Sequence, residues 1–178
     1  MRSFSSHQEN RSCHGYGVPS EPVERLALEL LELSTRQHFD KWRAAGKVFG
    51  GWVQNACGSP AEGVIRIEEA IREWKAPGST LVVPYWLALK TEALHSAGRL
   101  CEALDAVQEA EAHATASGEL WWLAELHRLR AVLRVATGGD NNEIERSFSA
   151  AISTAKQQKS LSLEKRAKAN TPNTATIT

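Results

Sequence analysis

The chain has 178 residues, 42% hydrophobic and 24% charged, with 21 Lys plus Arg balancing 21 Asp plus Glu. That composition belongs to an ordinary globular domain with room for a sizeable core. The zero net charge gives no pull toward nucleic acid or an anionic membrane, no apolar run approaches the ~20 residues of a membrane span, and the first residues lack the apolar stretch of a signal peptide.

In chain order, residues 1–19 read as a disordered leader. A lone helix follows over about 21–36, with Leu26, Leu30 and Leu33 expected to pack under the next elements. The first helix pair spans about 38–57 and 60–76. Trp42, Phe49 and Val53 form one face, and Val64, Ile67, Ile71 and Trp74 form another. Pro60 suits a helix start. The second pair spans about 82–97 and 100–116, with Pro84 either in its first turn or marking a kink, Trp86, Leu89 and Ala93 on the first helix, and Leu100, Leu104, Val107 and Ala114 on the second. The third spans about 119–137 and 141–158, carrying Leu126, Leu129 and Leu133, then Ile144, Phe148, Ile152 and Ala155. A degraded helix over about 161–169 offers Leu161, Leu163 and Ala167 to cover Phe148 and Ile152. This weak cap predicts some homodimerisation at the C-terminal end. Residues 170–178 read as a disordered tail. No alternating β pattern is present, so the expected class is all-α.

The pairs repeat. Gly58, Gly98 and Gly138 are 40 residues apart, as are Ala70 and Ala110; an extra residue in the third turn puts Ala151 41 after Ala110. The junction residues Gly51, Gly58, Gly63, Ile67 and Ala70, then Gly98, Leu100, Ala103, Val107 and Ala110, then Ala131, Gly138, Phe148 and Ala151 resemble tetratricopeptide (TPR) repeats. The usual TPR period is ~34 residues, so each helix here is longer by nearly a turn. The resemblance implies a right-handed α–α superhelix of TPR-like helix pairs over residues 20–169.

The stretches FGGWVQNACGSPAEGVIRIEEAIREWKAPG, ALHSAGRLCEALDAVQEAEAHATASGE and LWWLAELHRLRAVLRVATGGD carry a narrower likeness. Over about residues 22–168 the chain is similar to the C-terminal repeats of large bacterial signalling proteins that join a class III adenylate/guanylate cyclase to a predicted ATPase. That implies a regulatory or scaffolding role. The 178 residues contain neither a cyclase nor an ATPase part, so the chain reads as a C-terminal piece and the cyclase activity does not carry over.

Chemistry-bearing motifs are missing. There is no phosphate loop, no G-x-S-x-G elbow, no H-E-x-x-H and no paired-cysteine metal motif. The expectation is no enzyme, no cofactor and no metal. Cys13, Cys57 and Cys101 lack paired spacing and read as reduced thiols of a cytoplasmic protein. None of the six histidines lies three or four residues from another His or Cys, although His95 and His127 fall on neighbouring first helices.

A partner-binding groove is the remaining candidate. Trp52 should project toward it, and of the adjacent Trp121 and Trp122, about 100° apart on a helix, one should be core and the other partly exposed. Lys90 and Arg130, 40 apart, form a ladder with Arg134 one turn on. These cations either snorkel out, pair with Glu on second helices, or line the groove and take an acidic group. The candidate groove residues are Trp52, Tyr85, Lys90, Trp122, Arg130 and Arg134. Lys156, Lys159, Lys165, Arg166 and Lys168 read as a solvated capping face. The expected function is a non-catalytic module binding a partner protein or peptide; the alternative is a regulatory or small-molecule-sensing segment.

Overall fold

The computed structural model describes residues 20–171. The expected leader and most of the expected tail lie outside the described residues. Eight helices follow one another: α1 (Ser20–Arg36), α2 (Asp40–Ala56), α3 (Pro60–Lys75), α4 (Val83–Ser96), α5 (Leu100–Ser117), α6 (Leu123–Ala136), α7 (Asn141–Gln157) and α8 (Leu161–Asn170). A 3-10 turn, Leu120–Trp122, leads into α6. The described residues contain no strand.

The turns set the helix lengths. His38, Gly58, Gly78, Gly98, Gly118, Gly138 and Lys159 all have positive φ, at intervals of 20 residues until the last, which is 21. Five of these turns close with the same bond, in which the N–H just past the left-handed residue reaches back five positions: Phe39 to Ser34, Ser59 to Gln54, Arg99 to Leu94, Gly139 to Arg134 and Ser160 to Ala155, at 2.8–3.0 Å. This is the Schellman closure, which satisfies a carbonyl that the helix end leaves without a partner. His38 and Lys159 occupy conformations that cost an L-residue about 1–2 kcal/mol, and both side chains are exposed. His38→Gly and Lys159→Gly are therefore each expected to raise stability by up to about 1 kcal/mol in urea unfolding; a loss from both would contradict the strain.

Consecutive helices pack on one another along the chain. In addition α2 touches α4, α4 touches α6 and α6 touches α8. These four form one layer, and α3, α5 and α7 lie behind it. The principal core runs between the layers from Val48, Val64 and Ile67 through Leu87, Leu94 and Val107 to Leu126 and Leu133. At the crossing of α2 and α3 the backbones nearly touch: a Cβ on Gly63 would stand 2.6 Å from the Gly51 carbonyl oxygen.

Three packing expectations are corrected. Trp42 is 58% exposed, because it stands in the first turn of α2 and the buried stripe begins at Ala44, Ala45 and Val48. Leu26 and Leu33 are exposed, whereas Val23, Ala27, Leu30, Leu31 and Ser34 face inward. Leu31 sets that register, since α2 offers it Gly46, where a Cβ would lie 2.9 Å from Leu31 Cγ. At the other end Leu163 and Ala167 are buried, with Leu163 against Ala124 and Ala155, but Leu161 is 71% exposed. The reduced-thiol expectation fails for Cys57, which is disulfide-bonded, and Cys101 is free and exposed.

Candidate functional site

The layer of α2, α4, α6 and α8 carries a cleft of about 210 Å³. Its walls come from Val23 on α1, Phe49 and Trp52 on α2, Tyr85, Ala88 and Leu89 on α4, and Trp122 at the entry to α6, with Glu92 and Arg166 as its charged groups. The rings pack in sequence. Phe49 and Tyr85 have centroids 6.4 Å apart, Tyr85 meets Trp122 edge-on at 5.0 Å, and Trp121 stacks outside at 5.5 Å from Tyr85. Trp122 is half-buried and Trp121 largely exposed. The buried Trp122 indole N–H has no acceptor among the described residues. Burial, then the Glu92 carboxylate, pushes the Tyr85 hydroxyl above its usual range, against the opposing pull of Arg166.

Beneath the cleft lies a charge network that is buried except at Arg166, whose side chain is 41% exposed. Trp52 Nε1 donates to Glu92 Oε2 at 3.0 Å. Arg128 grips Glu125 with two parallel bonds of 2.7 and 3.0 Å and donates to Asn170 Oδ1 at 2.8 Å. Arg166 reaches Glu125 at 2.9 Å and Glu92 at 3.4 Å. Two carboxylates and two guanidinium groups thus balance, with Glu125 only 1% exposed. Burial raises the Glu92 pKa first of all; Glu125 adds to it, and the Trp52 N–H and both arginines oppose it. Through these bonds the ten-residue α8 is tied to the cleft floor.

The six candidate residues therefore part into two groups. Trp52, Tyr85 and Trp122 come together in the cleft. Lys90, Arg130 and Arg134 do not join them; each pairs with Glu on a second helix. Lys90 pairs with Glu68 of α3 at 3.0 Å and Arg130 with Glu111 of α5 at 2.7 Å. Arg134 pairs with Glu143 of α7. Of the alternatives open for these cations, ion pairing is the one found.

Sequence reasoning missed Glu92, Glu125 and Arg128, and read Arg166 as a solvated cap. The signal was the repeat itself: Trp52 and Glu92 are 40 apart, Tyr85 and Glu125 are 40 apart, and Arg166 follows Glu125 by 41. His95 and His127 do not share a site. His127 Nδ1 lies 3.0 Å from Glu111 Oε1, and His95 is half-buried toward Arg128. Among the described residues no three His, Cys, Asp or Glu are grouped to hold a metal, and no described helix is long and apolar enough to cross a membrane.

Burial first, and Arg128 second, lower the His95 pKa. The unfolded chain then takes up a proton before the folded one as pH falls through ~6.5 toward the lowered value. Stability is expected to drop in that window, and His95→Gln to flatten the drop in unfolding curves measured between about pH 7 and 5.5. An unchanged pH slope would contradict the assignment.

In comparisons with known proteins, no family model and no solved structure matches. An uncharacterized protein of Rhizobium meliloti (strain 1021) is 25% identical over 148 residues, which is 83% of this chain and 14% of that protein. The chain thus spans a small fraction of the relative it matches.

Proposed function

We propose that the chain is a TPR-like solenoid with a 40-residue period that holds a partner segment by contact, with one large apolar side chain of the partner seated among Phe49, Trp52, Tyr85 and Trp122. The observation that carries this reading is the aromatic cleft on the layer formed by α2, α4, α6 and α8. Those helices touch each other in succession, which is the close spacing that a concave inner layer requires. The 20-residue interval between left-handed turn residues supports the helix-pair repeat. Aromatic walls contribute large apolar area at low entropic cost, as binding hot spots do. At about 210 Å³ the cleft is smaller than the ~300–1,000 Å³ of small-molecule pockets, which favours a side chain over a free effector. The lineage proposed is the repeat region of bacterial cyclase–ATPase signalling proteins; a relative of which only 14% aligns suits a repeat segment of a large protein.

The test is recovery of a partner from host cells with three variants. Tyr85→Ser is expected to lower recovery by about 30-fold, the effect of losing one hot-spot residue. Ile65→Ser, at an exposed position on α3, leaves recovery unchanged, and so does Lys90→Glu. Equal recovery with Tyr85→Ser and wild type would remove the cleft from the interaction.

A further inference from the structure

Arg166 is the one cation among the described residues that line the cleft, and it is only partly engaged. Its Nη2 faces Glu125 at 2.9 Å and Glu92 at 3.4 Å. Nη1 and Nε, which carry three of the five guanidinium N–H groups, meet no acceptor among the described residues, and the side chain is 41% exposed. Arg128 differs: all three of its nitrogens are bonded and it is 6% exposed. Glu92 is equally closed, with Oε2 accepting from Trp52 and Oε1 facing the two arginines. A ligand in the cleft therefore meets open cationic donors and almost no open carboxylate. We propose that the partner segment held there carries an Asp or Glu on the same face as its seated apolar side chain, and that Arg166 binds that carboxylate. This inference rests on the cleft being the contact face.

The cleft, at about 210 Å³, takes one large side chain, so the acidic group comes from elsewhere on the segment. Side chains share a face two residues apart in an extended segment and three or four apart in a helix, and the acid sits at one of those offsets. A chain-terminal carboxylate is the other source of such a group. Those are captured in nests of backbone N–H groups, whereas Phe49, Trp52, Leu89 and Arg166 all lie inside helices, where the N–H groups are spent on the preceding turn. What the cleft offers instead is side-chain donors able to make charge-assisted hydrogen bonds. The aromatic seat and the guanidinium adjoin: the Tyr85 hydroxyl, raised first by burial and then by Glu92, is held down by the charge of Arg166. Lys90, Arg130 and Arg134 do not compete for the acid, since each is paired with Glu on a second helix.

The experiment selects binders to the full chain from random peptides whose C-termini are fused to the carrier, so that no terminal carboxylate is on offer. The expected sequences share one large apolar residue and an Asp or Glu at a single offset of two, three or four residues. A synthetic copy with that acid changed to its amide is expected to bind the wild-type chain about 5-fold more weakly, the scale of a half-exposed ion pair. Glu92→Gln keeps an oxygen for the Trp52 N–H and removes the carboxylate that competes for Arg166, so it is expected to widen the difference between the two peptides. Glu92→Gln with Arg166→Gln removes one charge of each sign and leaves Glu125 its bonds to Arg128; there the acid and amide peptides are expected to bind equally. Selected peptides with the apolar residue but no acid overturn the proposal, and so does an acid effect that narrows with Glu92→Gln or persists in the double variant. In those cases binding that still falls with Tyr85→Ser leaves the cleft in place. No binders, or binders indifferent to Tyr85→Ser, remove the cleft reading and the proposal with it.

Discussion

Glu125→Ala is expected to lower the free energy of unfolding by about 3–5 kcal/mol, the cost of leaving buried charges without their counter-ion. Glu125 accepts two bonds from Arg128 and one contact from Arg166, all within 3.0 Å. Among the described residues the next carboxylate, that of Glu92, stands farther off, at 3.4 and 3.6 Å from the same guanidinium groups. A loss of this size is a large part of the ~5–15 kcal/mol by which domains are stable, and it falls on α8 first. Glu92→Gln is expected to cost clearly less. The amide still accepts from Trp52, and burial already disfavours the charge that the substitution removes. Urea unfolding of the two variants checks this: equal losses would mean that the network does not depend on Glu125 as its hub.

Gly63→Ala is the second large effect, a loss of about 1–3 kcal/mol from overpacking. The added methyl would stand 2.6 Å from Gly51 O and 2.9 Å from Asn55 N, both backbone atoms that yield only if α2 and α3 move apart. The helix preference for alanine returns no more than about 1 kcal/mol. Gly50→Ala is the control on the same helix pair. The nearest atoms to its methyl belong to the flexible Arg66 side chain, at 3.6 Å or more, so it is expected to gain up to about 1 kcal/mol. Opposite signs for the two alanines are the expected result; a neutral Gly63→Ala would show that the crossing is looser than the backbone distances imply.

The turns and the helix limits were legible because glycine and proline mark them chemically: Gly58, Gly98 and Gly138 stand at positive φ, and Pro60 and Pro84 open their helices. The register of α1 was not legible. Leu26, Leu28, Leu30, Leu31 and Leu33 put leucine on every side of that helix, so periodicity cannot choose a face; Gly46 on the neighbouring helix does. In the site, Trp52 and Trp122 stood out in the sequence only as large side chains expected at a groove, and both line the cleft. The Lys90–Arg130 ladder was legible as a spacing but not as a direction. Lys90 and Glu92 are two residues apart, about 200° around α4, so one ladder faces the second helices and the other the cleft. Glu92, Glu125, Arg128 and Arg166 have the appearance of surface helix charges until the helices are stacked.

The central claim is that the chain works by contact through the face of α2, α4, α6 and α8. The most direct measurement is photocross-linking in host cells with p-benzoyl-phenylalanine placed at Tyr85 in the cleft or at Ile65, exposed on α3. A discrete adduct with a separate protein from position 85, and none from position 65, is the expected result. Equal labelling at both positions, or labelling from position 65 alone, would contradict it.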